Sequence, residues 1–278
     1  MLRIAPSPPR TARPWQHLRR ALMASSVLVA GLSGLAHAET LPSGGNVAAG
    51  SATIAATGGS MAIDQSTARA VINWNSFSVG PAGSVAFNQP DAQSATLNRV
   101  TGTAASSIAG QITSNGAVYL VNPNGIAITT SGSVNTAGGF VASALDIADE
   151  DFMAGKAGFT GRGASGRVSN AGSITASQGG YVALLGGSVA NNGYISVPLG
   201  KVGLGSGEQI ALDINGRNFM QVGVPTSALA GDEALVGNSG TITATGGTVL
   251  LKAATLKDAV RNVINMSGSI SADSAVGS

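Results

Sequence analysis

Short runs in which apolar and polar residues alternate fill most of the chain, each bounded by Gly, Asn, Ser or Pro. A period of two sends successive side chains to opposite faces of an extended backbone, so each run predicts a β-strand. Examples are Ala70 to Trp74 (AVINW), Ser84 to Phe87 (SVAF), Ala117 to Val121 (AVYLV) and Gly125 to Ile128 (GIAI). Tyr181 to Leu185 (YVALL), Lys201 to Leu204 (KVGL) and Thr248 to Leu251 (TVLL) continue the series. Long stretches of helical period are missing. The best helical candidate is Asp149 to Gly155, where DEDFMAG places acids at the positive end of a short helix.

The runs recur in a fixed frame. Val168-Ser-Asn-Ala-Gly-Ser-Ile-Thr-Ala leads to Gly179-Gly-Tyr-Val-Ala-Leu, and Val236-Gly-Asn-Ser-Gly-Thr-Ile-Thr-Ala leads to Gly246-Gly-Thr-Val-Leu-Leu. Weaker copies start at Val189 and Val263. Gly172 and Gly193 are 21 residues apart and Gly240 and Gly268 are 28 apart, a spacing at which purely β repeats build solenoids. The expected fold is all-β, a right-handed parallel β-helix. Its aliphatic residues stack in layers, and Gly, Asn and Ser turn its corners. Asn170, Asn191 and Asn238 fall at equivalent corners, where their amides can form a ladder. The competing fold is an antiparallel sandwich or barrel. It calls for two-residue hairpin signals, which are few, Asn115-Gly116 being the clearest.

The first residues belong to another class. Met1 to Arg20 holds Arg3, Arg10, Arg13, Arg19 and Arg20 and no acid, an uncharged apolar run spans Ala21 to Leu35, and Ala36-His37-Ala38 supplies the small–x–small site. This is the pattern of a secretory signal peptide cleaved after Ala38, with Ala36 and Ala38 read by the peptidase. The alternative, a membrane anchor, needs roughly 20 apolar residues. This run is shorter and is interrupted by Gly31 and Gly34.

Cleavage changes the charge. Fifteen Lys and Arg against thirteen acids make the whole chain basic, but five of the cations leave with the leader. Ten basic and thirteen acidic residues remain, a net charge of −3, which removes the electrostatic footprint of a nucleic-acid binder. His17 and His37 leave as well, and the chain has no Cys. Ser-His-Asp and Cys-His arrangements, His/Cys zinc sites and disulfides are thereby excluded. No cofactor or metal is implied.

Asn98 to Ile128 reads NRVTGTAASSIAGQITSNGAVYLVNPNGIAI. In Asn122-Pro123-Asn124-Gly125 the proline sets φ for the second turn position, while Asn and Gly tolerate left-handed geometry. By itself this is a sharp corner between two buried-looking strands, YLV and IAI. Asn73 to Phe77 (NWNSF) and Val85 to Phe87 precede it, and Gly139 to Ser143 (GFVAS) follows. Together these segments resemble the secretion domain at the amino terminus of filamentous haemagglutinin and related two-partner-secretion exoproteins, from about Leu41 to Val224. Asn88-Gln89-Pro90, LNRV (Leu97 to Val100) and GKAGFTG (Gly155 to Gly161) look like the high-molecular-weight adhesin branch. The NPNL element usual in the haemagglutinin and haemolysin branches is absent, and NQPD (Asn88 to Asp91) occupies its neighbourhood.

The resemblance implies a signal peptide over 1–38, a secretion domain over 39–224 and further, truncated β-helix repeats over 225–278. It also implies small extra-helical β elements near the amino terminus. Sec machinery would carry the chain across the inner membrane of a Gram-negative bacterium, and signal peptidase would release it. An outer-membrane β-barrel transporter with periplasmic POTRA domains would then pass it to the surface or the medium. Asn115, Gly116, Asn122, Pro123, Asn124, Gly125 and Ile126 are the residues expected to build what the transporter recognises, by β-augmentation. The alternative is that they only hold the first coils together. Adhesion to a host-cell or glycan receptor follows from the resemblance alone.

Two other readings compete. Polysaccharide lyases and hydrolases also use β-helices, but glycoside hydrolysis needs two carboxylates about 5–10 Å apart. Only Asp149-Glu150-Asp151 and Asp232-Glu233 cluster among the acids, and both fit loops or helix starts better. The other is a remnant of a larger exoprotein, because SADSAVGS at the end offers little to cap a solenoid.

Overall fold

Corners of a few residues force the chain back beside itself, and each circuit lays down three short strands. The computed structural model describes residues 41–216, 218–226, 234–254 and 263–273. The leader with Ala36 and Ala38, the pair Asp232-Glu233 and Asp258 lie outside them. One circuit runs Ala117–Val121, Ile126–Ile128 and Ser133–Thr136, and the next opens with Gly139–Ser143. Gly139–Ser143 lies parallel to Ala117–Val121, with Gly139 beside Ala117 and Ser143 beside Val121. Continued along the described residues, this makes three faces of eight, six and nine strands. The parallel β-helix expected from the repeat is the observed fold.

In-register pairing stacks like on like. On the nine-stranded face Met61, Val85, Ile112, Val134, Ile174, Ile195, Ile242 and Ile270 form one file, each beside the next. All but Ile270 are buried. Burying such a side chain is worth about 1.5–3 kcal/mol, so the stacked files carry most of the favourable folding energy. The predicted strands appear where the alternation placed them. KVGL lengthens to Lys201–Ser206, and the helical candidate shortens to Asp149–Met153.

The asparagine ladder forms on the six-stranded face. Asn170 Nδ2 donates to Asn191 Oδ1 at 2.8 Å, and Asn191 Nδ2 donates to Asn238 Oδ1 at 2.7 Å. All three side chains are buried. The weak copy assigned to Val263 is out by one residue, because Ile264 pairs with Val236 and Met266 with Asn238. A one-residue slip sends every side chain to the opposite face. Asn265 therefore lies outside the ladder, which ends against Met266. Asn115-Gly116 is a solenoid corner rather than a hairpin, because the strands on either side of it join different parallel faces.

Antiparallel strands appear at the amino-terminal end, as the resemblance implied. Asn46–Ala49 pairs antiparallel with Arg69–Trp74, and Ala52–Thr57 with Ser60–Gln65. A second set was not expected. After Gly139–Ser143 and after Lys201–Ser206 the chain leaves the coil and returns later. The two excursions meet as an antiparallel sheet of Gly158–Thr160, Gln209–Leu212 and Met220–Gly223 over the outer side of the eight-stranded face. Phe152, Phe159, Phe219 and Met220 pack there against Tyr119, Tyr181 and Leu185, making a second core outside the solenoid. Strands buried on both sides need continuous apolar runs, which is why all five residues of AVYLV are buried.

Two charged groups fasten the excursions. Arg99 bonds to Asp146 at 2.8 Å, to Asp149 at 2.5 Å and to the Ile147 carbonyl, tying the helix start to the sheet. The first acidic cluster is thus a paired helix start, with Asp151 bonded to Lys156 at 3.1 Å. Glu208, 3% exposed, accepts from the Ser165 hydroxyl at 2.6 Å, the Ser165 N–H at 3.0 Å and the Gly163 N–H at 3.0 Å. Burial opposes its ionisation, but these bonds and one from Thr226 outweigh burial and hold the carboxyl below its ordinary value of 4.5.

Two outcomes follow from this packing. Asn191→Ala leaves a buried donor on Asn170 and a buried acceptor on Asn238, and it lowers stability in urea unfolding by about 2–4 kcal/mol. The exposed neighbour Asn192→Ala changes it by less than about 0.5 kcal/mol. A carboxyl with a depressed pKa stabilises the fold above its ordinary value and loses that contribution as pH falls. Near-UV circular dichroism from the aromatic residues of the outer core accordingly declines below about pH 4.5, and Glu208→Gln removes that pH dependence.

Candidate functional site

The strand Ala117–Val121 has a motif at each end. Asn115 and Gly116 turn the corner before it, and Asn122 to Gly125 turn the corner after it. At about 3.3 Å per residue the two corners are roughly 20 Å apart. The seven candidate residues are therefore two corners of one coil, and they do not form a single patch.

Asn122 organises the second corner. It is wholly buried, and each hydrogen-bonding position of its amide is used. Nδ2 donates to the Ala104 carbonyl at 2.9 Å and to the Ser106 hydroxyl at 3.0 Å. Oδ1 accepts from the Asn124 N–H and from Asn124 Nδ2, both at 3.0 Å. The Gly125 N–H closes the turn onto the Asn122 carbonyl at 3.0 Å. Asn124 does not adopt left-handed geometry, since the non-glycine residues with positive φ among those described are Leu199 and Val224. Its amide does the work instead, reaching the Gly102 carbonyl at 2.9 Å. Only Gly125 turns left-handed, with φ of 109° and the Arg167 carbonyl 2.9 Å from where a Cβ would lie. Ile126 enters the core between Ser106 and Val168.

Motifs distant in sequence meet at this corner. Arg69–Trp74, Ala95–Val100 and Ala117–Val121 are successive strands of one face, so NWNSF, LNRV and NPNG end in one column. Trp74 Nε1 donates to Asn98 Oδ1 at 3.0 Å inside the coil, and the Thr101 N–H bonds the Trp74 carbonyl at 2.8 Å. The exposed part of the column is Asn124, with half-buried Pro123 beside it. They border a cleft of about 200 Å³ shared with Asp146, Thr160, Arg162 and Ser165.

The first corner depends on a residue that sequence reasoning quoted without a role. The Asn115 amide pairs with the Gln89 backbone in both directions, accepting from its N–H at 2.7 Å and donating to its carbonyl at 2.6 Å. The buried Gln89 side chain donates to Thr96 Oγ1 at 2.8 Å and accepts from the Ser114 hydroxyl at 2.5 Å. Thr96 in turn donates to Gln65 Oε1 at 2.5 Å. A Cβ on Gly116 would lie 2.3 Å from Gln89 Oε1, so the corner closes only around glycine. The available signal was polar residues inside otherwise apolar strands, Thr96 and Asn98 in ATLNRV. Among the described residues no group of three or more His, Cys, Asp or Glu is placed to hold a metal. Neither corner contains a titratable side chain, and their chemistry is hydrogen bonding and shape.

Comparison with known proteins places this geometry. The family model for the TPS secretion domain matches residues 38–276. A heme/hemopexin-binding protein of Haemophilus influenzae strain Rd is 40% identical over 178 residues, covering 62% of this chain and 20% of that protein. A second Haemophilus influenzae protein of the same name is 40% identical over 117 residues, covering 41% and 13%. This chain thus spans a fifth or less of the length of these relatives. The HMW1 secretion domain of Haemophilus influenzae superposes with a TM-score of 0.73 at 35% identity, covering 84% of this chain and 59% of that one. The filamentous hemagglutinin secretion domain gives 0.52 at 16% identity over 84% and 99%, a likeness of fold. The family is a non-enzymatic secretion domain of exported proteins that outer-membrane TPS transporters recognise. With the family model covering most of its length and the motif column in place, the chain belongs to the TPS secretion domain family.

Proposed function

We propose that this chain is the export unit of a two-partner secretion exoprotein and that its transporter takes it up before the coils close. Sec delivers it to the periplasm and signal peptidase cuts after Ala38. POTRA domains of a cognate outer-membrane barrel then receive the unit 39–224, and the coils of 225–278 follow it to the cell surface or beyond. No catalytic step belongs to this reading. Capture of a host-cell or glycan receptor is the wider role for an exoprotein of this kind.

One observation carries the timing. The folded corner has nothing left to offer by backbone pairing, because Ile126–Ile128 lies between Ser106–Ile108 on one side and Arg167–Asn170 on the other. Asn122 likewise has no free donor or acceptor. Adding a strand from a POTRA domain at this corner requires an open chain, which is also the form that passes through a pore. Once outside, Asn115, Gly116, Asn122, Gly125 and Ile126 close the first coils. Later coils then add by nearest-neighbour stacking, so folding draws the chain outward without ATP.

Asn122→Ala orphans the donors and acceptors around it and destabilises the folded domain by about 2–4 kcal/mol in urea unfolding. Asn124→Ala, at an exposed position, costs about 1 kcal/mol or less. Surface plasmon resonance with the purified periplasmic part of the transporter tests the timing. The Asn122→Ala chain binds more tightly than wild type, while its export rate in cells falls. Equal binding by the folded wild-type chain would overturn uptake before folding. A normal export rate for Asn122→Ala would remove the outward pull from the mechanism.

A further inference from the structure

One register position across the eight-stranded face reads Arg69, Ala95, Ala117, Gly139, Tyr181, Lys201 in successive coils. Three small residues stand between a cation and an aromatic ring, on the outer side that the excursions elsewhere cover with packed apolar groups. The Tyr181 ring leans back over Gly139, where a Cβ would lie 2.6 Å from it. Its hydroxyl thereby comes 2.8 Å from that of Tyr119. The missing side-chain volume above Ala95 and Ala117 becomes a cavity of about 510 Å³, closed on its other side by the segment holding Lys156. Small-molecule sites fall in the range of about 300–1,000 Å³.

The polar groups of this cavity are incompletely matched. Tyr119 and Tyr181 are 2% and 9% exposed, and each hydroxyl has the other as its partner. Such a pair carries two protons and consumes one, so the second points to an acceptor outside the pair. Burial pushes both phenols above their ordinary range, so both protons are present at neutral pH. The Arg69 guanidinium lies over the Phe152 ring at 5.3 Å. The ion pairs among the described residues are those of Arg99 with Asp146 and Asp149 and of Lys156 with Asp151, so Arg69 has no carboxylate of its own. A planar fork of donors lining the same cavity as a spare phenolic O–H fits an organic oxyanion.

We propose that this cavity binds a small organic carboxylate, held by the Arg69 guanidinium and the second O–H proton of the Tyr119–Tyr181 pair over the floor of Ala95 and Ala117. The aliphatic floor takes the body of the ligand. At the rim Lys156 is already paired with Asp151 and Asp213 adds a carboxylate, so the anchoring charge is that of Arg69. The site borders the first secretion corner, where the Gly138 N–H bonds to the Gly116 carbonyl, but none of the seven corner residues lines it, and its occupancy does not depend on the export reading.

Titration of the purified secreted chain with acetate, glucuronate and citrate tests this, with glucose as the uncharged control and inorganic phosphate as the competing anion. Tyrosine near-UV difference absorption and calorimetry are the readouts. At least one carboxylate saturates both signals, and glucose saturates neither. Arg69→Gln weakens that binding about tenfold or more. Ala95→Leu, which fills the floor and keeps every polar group, abolishes it while circular dichroism remains that of the wild type. Three results would each overturn the proposal: no saturation by any of the three carboxylates, equal affinity for phosphate, or unchanged binding by Arg69→Gln.

Discussion

Everything in this molecule depends on each coil closing in register on the one before it. Parallel pairing with no shift places Ile on Ile and Asn on Asn, so the interior is a set of columns in which each residue packs on its counterpart in the next coil. Closure demands three corners per coil, and each must hide its backbone polar groups while turning within a few residues. The amides of Asn122 and Asn115 meet that demand at the two ends of one strand, and the ladder of Asn170, Asn191 and Asn238 meets it further along. The same residue type recurs because its side chain offers two donors and an acceptor at backbone spacing.

A solenoid assembled by nearest neighbours suits export. Each coil gains most of its stabilisation when it docks on its predecessor, so folding proceeds in the order in which the chain emerges. The chain holds no cysteine to crosslink it beforehand, and its described ion pairs are confined to the helix start and its surroundings. The polar network of buried Gln65, Thr96 and Gln89 with half-buried Ser114 sits in the early coils. Polar contacts of this kind are costly unless complete, and they define one register where apolar layers alone would tolerate a slip.

The excursions change the character of one face. By covering the middle of the eight-stranded sheet they bury both sides of its central strands, give Tyr119 and Tyr181 an apolar setting, and leave a void where the coils supply only alanine and glycine. Arg99 and Glu208 are the polar fastenings that make this cover part of the fold. Neither charge is displaced from its ionised form at neutral pH, because hydrogen bonds oppose the penalty of burial in both.

Local residue pattern by itself determined the strands, the parallel solenoid and the asparagine ladder, because a period of two and a repeated V-x-N-x-G frame are read over a few residues. AVYLV and YVALL read as strands like the others, and their being buried on both sides became visible only with the cover in place. The NPNG corner was legible as a turn, and its family as a set of motifs in order. Only the tertiary structure decided that Asn122 is fully consumed within the fold, that Gln89 anchors Asn115, and that the last repeat is offset by one residue. It alone joined Gly158–Thr160 to Gln209–Leu212, and set Arg69 across from Tyr181 over a floor of small residues. These pairings join positions tens to more than a hundred residues apart, and their partners are selected by the number of residues in each coil, which no local pattern records.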